Sequence, residues 1–102
     1  MRKVVADIET DGLLPELTKV HTLVLRDLET GDVLSCTDDS PDFPGIQEGL
    51  AMLQEVDRAY FHNGIGFDIP ALKKVYPEWE TDALILDTMI LAQLRFAHIR
   101  DS

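Results

Sequence analysis

Acidic side chains follow directly on an apolar run near the start of the chain. The stretch VVADIETDGLL, residues 4–14, brings Asp7, Glu9 and Asp11 within five positions of one another. Residues two apart in a β-strand project to the same side, so we expect Asp7 and Glu9 to point together while Ile8 points away. Neighbouring carboxylates repel unless a cation lies between them. The pair is therefore a candidate site for a hard cation such as Mg²⁺, with solvated acids at a strand end as the structural alternative.

Two other possible motifs, one in this stretch and one at residues 64–66, are excluded because required residues are missing. DIETDG resembles the start of a calcium-binding EF-hand loop, but such a loop needs an acid at its twelfth position and a helix on each side. Counted from Asp7, the twelfth residue is Thr18, and a strand-forming segment precedes the loop. The glycines at 64 and 66 form only part of a dinucleotide-binding fingerprint and lack its third glycine. We predict a flexible turn there.

A second group of polar residues lies in FHNGIGFDIPAL, residues 61–72. A strand is predicted to end in this segment. The chain then passes through two glycines and begins a helix. Asp68 falls in the first helical turn, where an acid is favourable, so a capping role is one explanation. If this strand lies beside the first strand, Asp68 can face Asp7 and Glu9. Three converging carboxylates are hard to explain without a cation.

His62 lies in the same segment and could serve as a general base, because imidazole titrates near neutrality. Along a continuous strand it would project to the side opposite Asn63. That position favours a core or supporting role for His62 over a catalytic one.

The elements that must position these residues predict an α/β fold. Strands are predicted over residues 2–8, 20–29, 33–37, 58–63 and 81–88, and helices over 46–56, from 67–70 to 76, and from 89 to the end of the chain. The first strand has an apolar run at Val4, Val5 and Ala6, which predicts a central strand covered on both faces. The second and third strands should form a hairpin. Strands followed by alternating helix and strand predict an antiparallel first half and a parallel second half of the sheet.

Composition and charge narrow the class of protein. A chain of 102 residues, 45% hydrophobic and 27% charged, suits one ordinary globular domain. Its net charge of −10 argues against gripping duplex DNA unaided, and no basic patch is visible in the sequence. We expect no membrane span or signal peptide from this sequence, and its one cysteine, Cys36, excludes an internal disulfide. These features predict a cytoplasmic protein with no membrane partner.

Three stretches, taken in order, resemble one family of nucleases. DIETDGLL, FHNGIGFDIPAL and LILDTMILAQL resemble the 3′–5′ proofreading exonuclease domain of bacteriophage DNA polymerases of the family A type, within the DEDD exonuclease superfamily. The resemblance covers about residues 3–97 with ordinary spacing. Its first two motifs, D-x-E-T-x-x-L and N-x-x-x-F-D, are fairly specific together and weak separately.

The resemblance implies an RNase H-like sheet. It also implies an activity, the hydrolysis of the 3′-terminal phosphodiester of single-stranded DNA with two Mg²⁺ or Mn²⁺ ions. Two such ions can activate water and stabilise the leaving oxygen without a nucleophilic side chain. The implied residues are three catalytic metal ligands, Asp7, Glu9 and Asp68, and four residues against the terminal nucleotide, Thr10, Leu13, Asn63 and Phe67. Leu13 would wedge near the terminal base. Asp87 also recurs in the family, and we expect it to support the site rather than to act in it.

One element of the family pattern has no match in this sequence. The fourth acid belongs to a Tyr-x-x-x-Asp or His-x-x-x-Asp motif on a later helix, whereas His98 and Asp101 are three residues apart. We therefore expect residues 1–102 to be a single, partial exonuclease-like domain. It would be an RNase H-like mixed five-stranded sheet with flanking helices, truncated before the last helices. The last predicted helix is apolar around much of its surface, so the rest of a polymerase chain or a self-associating copy would pack against it, unless the domain itself buries it.

The leading hypothesis is a fragment of a proofreading 3′–5′ exonuclease with little or no activity alone, located in the host cytoplasm if a phage encodes it. A hypothesis of another class is a non-catalytic binding or self-assembly module that uses the same fold. An RNase H-like enzyme acting on RNA is a third, because contacts to a 2′-hydroxyl cannot be identified from sequence.

Overall fold

Five strands form one mixed sheet in the computed structural model of the chain, which describes residues 1–88. In chain order the elements are β1 (Lys3–Thr10), β2 (Val20–Asp27), β3 (Val33–Cys36), α1 (Ile46–Glu55), β4 (Arg58–Phe61), a π turn (Gly64–Asp68), α2 (Ile69–Val75) and β5 (Leu84–Asp87). Within this part of the chain no helix is long and apolar enough to cross a membrane. The last predicted helix, with His98 and Asp101, lies outside the described residues.

The strand order across the sheet is β3-β2-β1-β4-β5. β2 runs antiparallel to both β1 and β3, while β1, β4 and β5 run parallel to one another. The predicted hairpin, the mixed sheet and the position of the fourth strand beside the first are all confirmed. With α1 and α2, this sheet makes an α/β fold consistent with an RNase H-like arrangement.

β1 is central in the sheet but is not buried on both faces. Val4, Ala6 and Ile8 lie in the core, whereas Val5 keeps 42% of its surface exposed. The prediction of a strand covered on both sides is therefore wrong for the face that Val5 shares with Asp7 and Glu9. Strict alternation along β1 places both acids on this outward face, as the sequence predicted.

α1 covers the other face of the sheet with the apolar residues that the sequence predicted for it. Ile46, Leu50 and Leu53 are buried in one cluster with β-strand residues, and Val56 follows them. Gly49 permits the close approach, since a Cβ atom there would lie 2.7 Å from Leu23 Cδ2. α1 thus packs against β2 and β3 and covers the core on this face of the sheet.

Several strand ends differ from prediction, and two of these differences affect the candidate site. β1 continues to Thr10 rather than ending at residue 8, and β4 ends at Phe61 rather than residue 63. Beyond Phe61 the alternation that we used to place His62 no longer holds. His62 is exposed, with its Nδ1 3.2 Å from Thr88 Oγ1, so a core role for it is wrong and a supporting contact remains.

Candidate active site

The parallel pairing of β1 and β4 brings their carboxyl ends to the same edge of the sheet. Their last paired residues are Val5 and Tyr60, after which β1 continues alone on that side through Asp7 and Glu9. The chain leaving β4 enters the π turn and reaches Asp68. Open α/β sheets bind ligands at this edge, where strands end and loops begin.

The π turn fixes the backbone of Asp68. Asn63 adopts a left-handed conformation with φ 66° and ψ 35°. Its carbonyl oxygen accepts hydrogen bonds from the N–H groups of Phe67 at 2.8 Å and Asp68 at 3.3 Å. A turn of this width is uncommon inside helices and often occurs at functional sites.

The two glycines of this segment are required for space rather than for flexibility. A Cβ atom on Gly64 would lie 2.4 Å from Phe61 Cβ, and one on Gly66 would lie 2.4 Å from Asn63 Oδ1. Phe61 is fully buried, so the first contact belongs to the core. The predicted flexible turn is in fact a closely packed one.

Asp68 is buried, and its electrostatic surroundings disfavour a negative charge. Only 5% of its surface is exposed. Burial raises the pKa of Asp68 to about 7, and the negative charges of Asp7 and, to a smaller extent, Asp87 act in the same direction. Two of the three predicted acids, Asp7 and Asp68, are therefore close enough to interact. A cation bound beside them would offset this repulsion.

Glu9 lies on the same side of β1 as Asp7 but borders a different space. It lines a cleft of about 340 Å³ over β2 and β3, with Val24 in its wall and the half-exposed ring of Phe43 at its rim. Among residues 1–88, no three His, Cys, Asp or Glu side chains are arranged so that they could hold a metal ion. The structure thus pairs Asp7 with Asp68 and leaves Glu9 as a neighbour on the strand.

The four residues expected against a nucleotide lie around this edge in different environments. Leu13 is 75% exposed and available for contact. Phe67 is half-buried and packs against the core. Thr10 donates its hydroxyl hydrogen to the Gly12 carbonyl at 2.6 Å, and the Asn63 amide lies against Gly66.

Asp11, the third acid of the opening stretch, closes the loop after β1. Its carboxylate accepts the backbone N–H groups of Thr18 at 2.8 Å and Lys19 at 3.0 Å, as well as the Thr18 hydroxyl. The Thr18 hydroxyl and these N–H groups lower the pKa of Asp11 well below its usual range. This role of Asp11 was not predictable from the sequence, because its partners lie seven and eight residues along the chain.

Asp87 ends β5 and is also buried, with 5% of its surface exposed. Its Oδ1 accepts the N–H of Asn63 at 3.0 Å, and its Oδ2 accepts the N–H of Ile65 at 3.1 Å. These contacts agree with the expected supporting role.

The sheet also gathers cations that are dispersed in the sequence. Lys3 pairs with Arg58 across β1 and β4, and Val5 pairs with Arg26 across β1 and β2. The three basic residues therefore share the outward face, where the sequence showed no basic patch. This face has cations toward the start of β1 and acids toward its end.

This fold and site define an α/β protein of RNase H-like arrangement, with two carboxylates close enough to interact at the edge where its parallel strands end. The sequence is 32% identical to the DNA-directed DNA polymerase of Escherichia phage T7. The alignment is 108 residues long and covers 97% of this chain and 15% of that protein. It is 30% identical to the DNA-directed DNA polymerase of Enterobacteria phage T3 over 105 residues, covering 96% of this chain and 15% of that protein. No protein-family model matches. The chain is thus related in sequence to phage DNA polymerases, and it spans about 15% of the length of these relatives.

Proposed function

We propose that the chain carries the metal-binding acids of a 3′–5′ exonuclease, which removes 3′-terminal nucleotides from single-stranded DNA in proofreading. Asp7 and Asp68 are the proposed metal ligands and catalytic residues, and Glu9, on the same side of β1 as Asp7, is a further candidate ligand. The observation that carries the proposal is the buried carboxyl of Asp68, whose pKa is raised to about 7 by burial and by the charge of Asp7. The relation to phage DNA polymerases supports the same activity.

A divalent cation gives this arrangement a physical reason. A buried acid beside a second acid is unfavourable by itself, because both burial and repulsion oppose its ionisation. The donors are carboxylate oxygens only, which fits Mg²⁺ or Mn²⁺ rather than a softer metal. Asp7 and Asp68 would hold such ions, with Glu9 two residues along the strand from Asp7. Bound there, the ions would supply activation of a water and stabilisation of the leaving 3′ oxygen.

The exposed residues at this edge of the sheet suit the binding of single-stranded DNA of any base sequence. Leu13 offers an apolar surface that contacts a base without selecting it. At a net charge of −10 the chain repels phosphate, so bound cations would also be needed for the strand to approach the acids. We expect a further acid from outside residues 1–88 to complete the site, supplied by the rest of a polymerase chain or by a second copy.

Metal binding by single-charge variants tests the proposal. Mn²⁺ titrations followed by electron paramagnetic resonance should show binding to the unaltered chain and at least about tenfold weaker binding to Asp7→Asn and Asp68→Asn. Asp32→Asn removes the same charge from an exposed turn and should bind like the unaltered chain. A 5′-labelled strand incubated with Mn²⁺ should be shortened slowly or not at all. Brisk stepwise shortening that persists in Asp7→Ala would overturn the assignment of the site. A labelled RNA strand in the same assay would show whether DNA or RNA is the preferred substrate.

A second candidate function is self-association through the outward face of the sheet. Val5, Val33 and Leu84 keep 42%, 57% and 54% of their surfaces exposed. Strand pairing places all three on this face. Sedimentation velocity should show dimers if this face is an interface between copies. A monomer that does not bind a dye for apolar surfaces would contradict this function.

A further inference from the structure

Asp87 forms hydrogen bonds to the backbone of the turn that leads to Asp68. It is the last residue of β5, opposite Phe61 at the end of β4. Its two carboxylate oxygens each accept one N–H group, those of Asn63 and Ile65, at 3.0 and 3.1 Å. A carboxylate that bridges two N–H groups of one turn restricts that turn more strongly than a single bond would.

The bridged turn determines where Asp68 lies. Asn63 donates its N–H to Asp87, and its carbonyl accepts the N–H groups of Phe67 and Asp68. One residue in a left-handed conformation therefore connects the carboxylate of Asp87 to the backbone of Asp68. Asparagine adopts this conformation more readily than most residues, and the hydrogen bond from its N–H to Asp87 helps to hold it there.

We propose that Asp87 is a positioning residue for metal binding: through its hydrogen bonds to the Asn63 turn it holds in place the backbone that carries Asp68. This inference rests on the proposed function, because it assigns a role toward a metal held by Asp7 and Asp68. Residues that orient metal ligands in this way typically change metal affinity by about 10–100-fold when replaced.

Asp27 supplies a matched control at the other end of the sheet. It is also buried, with 8% of its surface exposed, and its Oδ1 accepts the N–H groups of Glu29 at 2.8 Å and Thr30 at 3.2 Å. Asp87→Asn and Asp27→Asn each replace a buried carboxylate that holds a turn. Only the first turn carries a proposed metal ligand.

The test measures Mn²⁺ affinity of the full 102-residue chain by electron paramagnetic resonance, with the free energy of unfolding of each variant from urea denaturation. Asp87→Asn should weaken Mn²⁺ binding by at least about tenfold. Asp27→Asn should leave the Mn²⁺ affinity unchanged, even if it lowers the free energy of unfolding as much as Asp87→Asn does. Equal Mn²⁺ affinity in Asp87→Asn and the unaltered chain would overturn the positioning role and leave the proposed function intact. Failure of the unaltered chain to bind Mn²⁺ would overturn both.

A measurement on the unaltered chain covers the case in which Asp87→Asn does not fold. In ¹H–¹⁵N spectra, adding Mg²⁺ should shift the amide signals of Asn63 and Ile65 together with that of Asp68. The amides of Glu29 and Thr30, bonded to Asp27, should not move. Shifts at Asp68 without shifts at Asn63 and Ile65 would refute the coupling through Asp87.

Discussion

The carboxyl of Asp68 is buried beside Asp7, and the charge of Asp7 is second only to burial in raising the pKa of Asp68. None of the salt bridges among residues 1–88 involves either acid. The two come from separate elements: Asp7 from the part of β1 beyond its pairing with β4, and Asp68 from the π turn that follows β4. The site should therefore respond to pH and to divalent cations.

Stability should depend on the ionisation of Asp68. Its pKa rises from an ordinary 3.8 to about 7 in the folded protein, so the unfolded chain releases this proton more readily. The contribution of Asp68 to stability is therefore complete below about pH 4 and is lost as the pH rises through about 7. Asp68→Asn should match the unaltered protein near pH 4 and be more stable near pH 8, by on the order of 1–2 kcal/mol after allowance for solvent screening.

Urea denaturation of both proteins at several pH values measures this difference. Adding Mg²⁺ near pH 8 should stabilise the unaltered protein and not Asp68→Asn, because only the former offers the complete acid pair. An unaltered protein as stable as the variant at high pH would count against a raised pKa for Asp68.

The two acids of β1 should differ in their effect on Asp68. Asp7→Asn removes a charge that acts on Asp68, so the pKa of Asp68 should fall. Glu9 is not among the groups that raise this pKa, so Glu9→Gln should change it less. Carbon-detected NMR titration of the Asp68 carboxyl in both variants gives the answer. A larger fall in Glu9→Gln than in Asp7→Asn would contradict the pairing of Asp7 with Asp68.

The two glycines before Asp68 should tolerate alanine unequally. At Gly64 a methyl group would meet Phe61 in the core, so Gly64→Ala should lower the free energy of unfolding by about 1–3 kcal/mol. At Gly66 it would meet the end of the Asn63 side chain, which can rotate away, so Gly66→Ala should cost on the order of 1 kcal/mol or less. Thermal and urea unfolding of the two variants compares them, and equal losses would show that the turn is not packed as described.

Removing Asp11 should loosen the loop between β1 and β2. Hydrogen bonds from Thr18 and Lys19 lower the pKa of Asp11, so its contribution to stability is present above about pH 4 and is lost as the pH falls below that value. Asp11→Asn should lower the Tm at neutral pH, and the difference should shrink in acid. Glu16→Gln changes an exposed acid in the same loop and is the control. Calorimetry at two pH values measures both, and an unchanged Tm for Asp11→Asn at neutral pH would contradict the role of this carboxylate.

Much of the fold was predictable because local patterns determine it. Alternation in β1 placed Asp7 and Glu9 on one side, and helical spacing identified the buried face of α1, Ile46, Leu50 and Leu53. The order of elements predicted the mixed sheet. These features depend on neighbours within a few positions along the chain, which is the range over which hydrophobic periodicity operates.

Other features were decided only by tertiary structure, because they depend on partners far apart in sequence. β4 ends at Phe61 because Asn63 turns into a left-handed conformation whose N–H is held by Asp87, 24 residues away. The exposure of Val5 depends on which face the helices cover. The sequence by itself placed acids at strand ends, but the packing of the π turn against Phe61 buried Asp68 beside Asp7. Burial and repulsion require groups to meet in space, and no spacing along the chain fixes that.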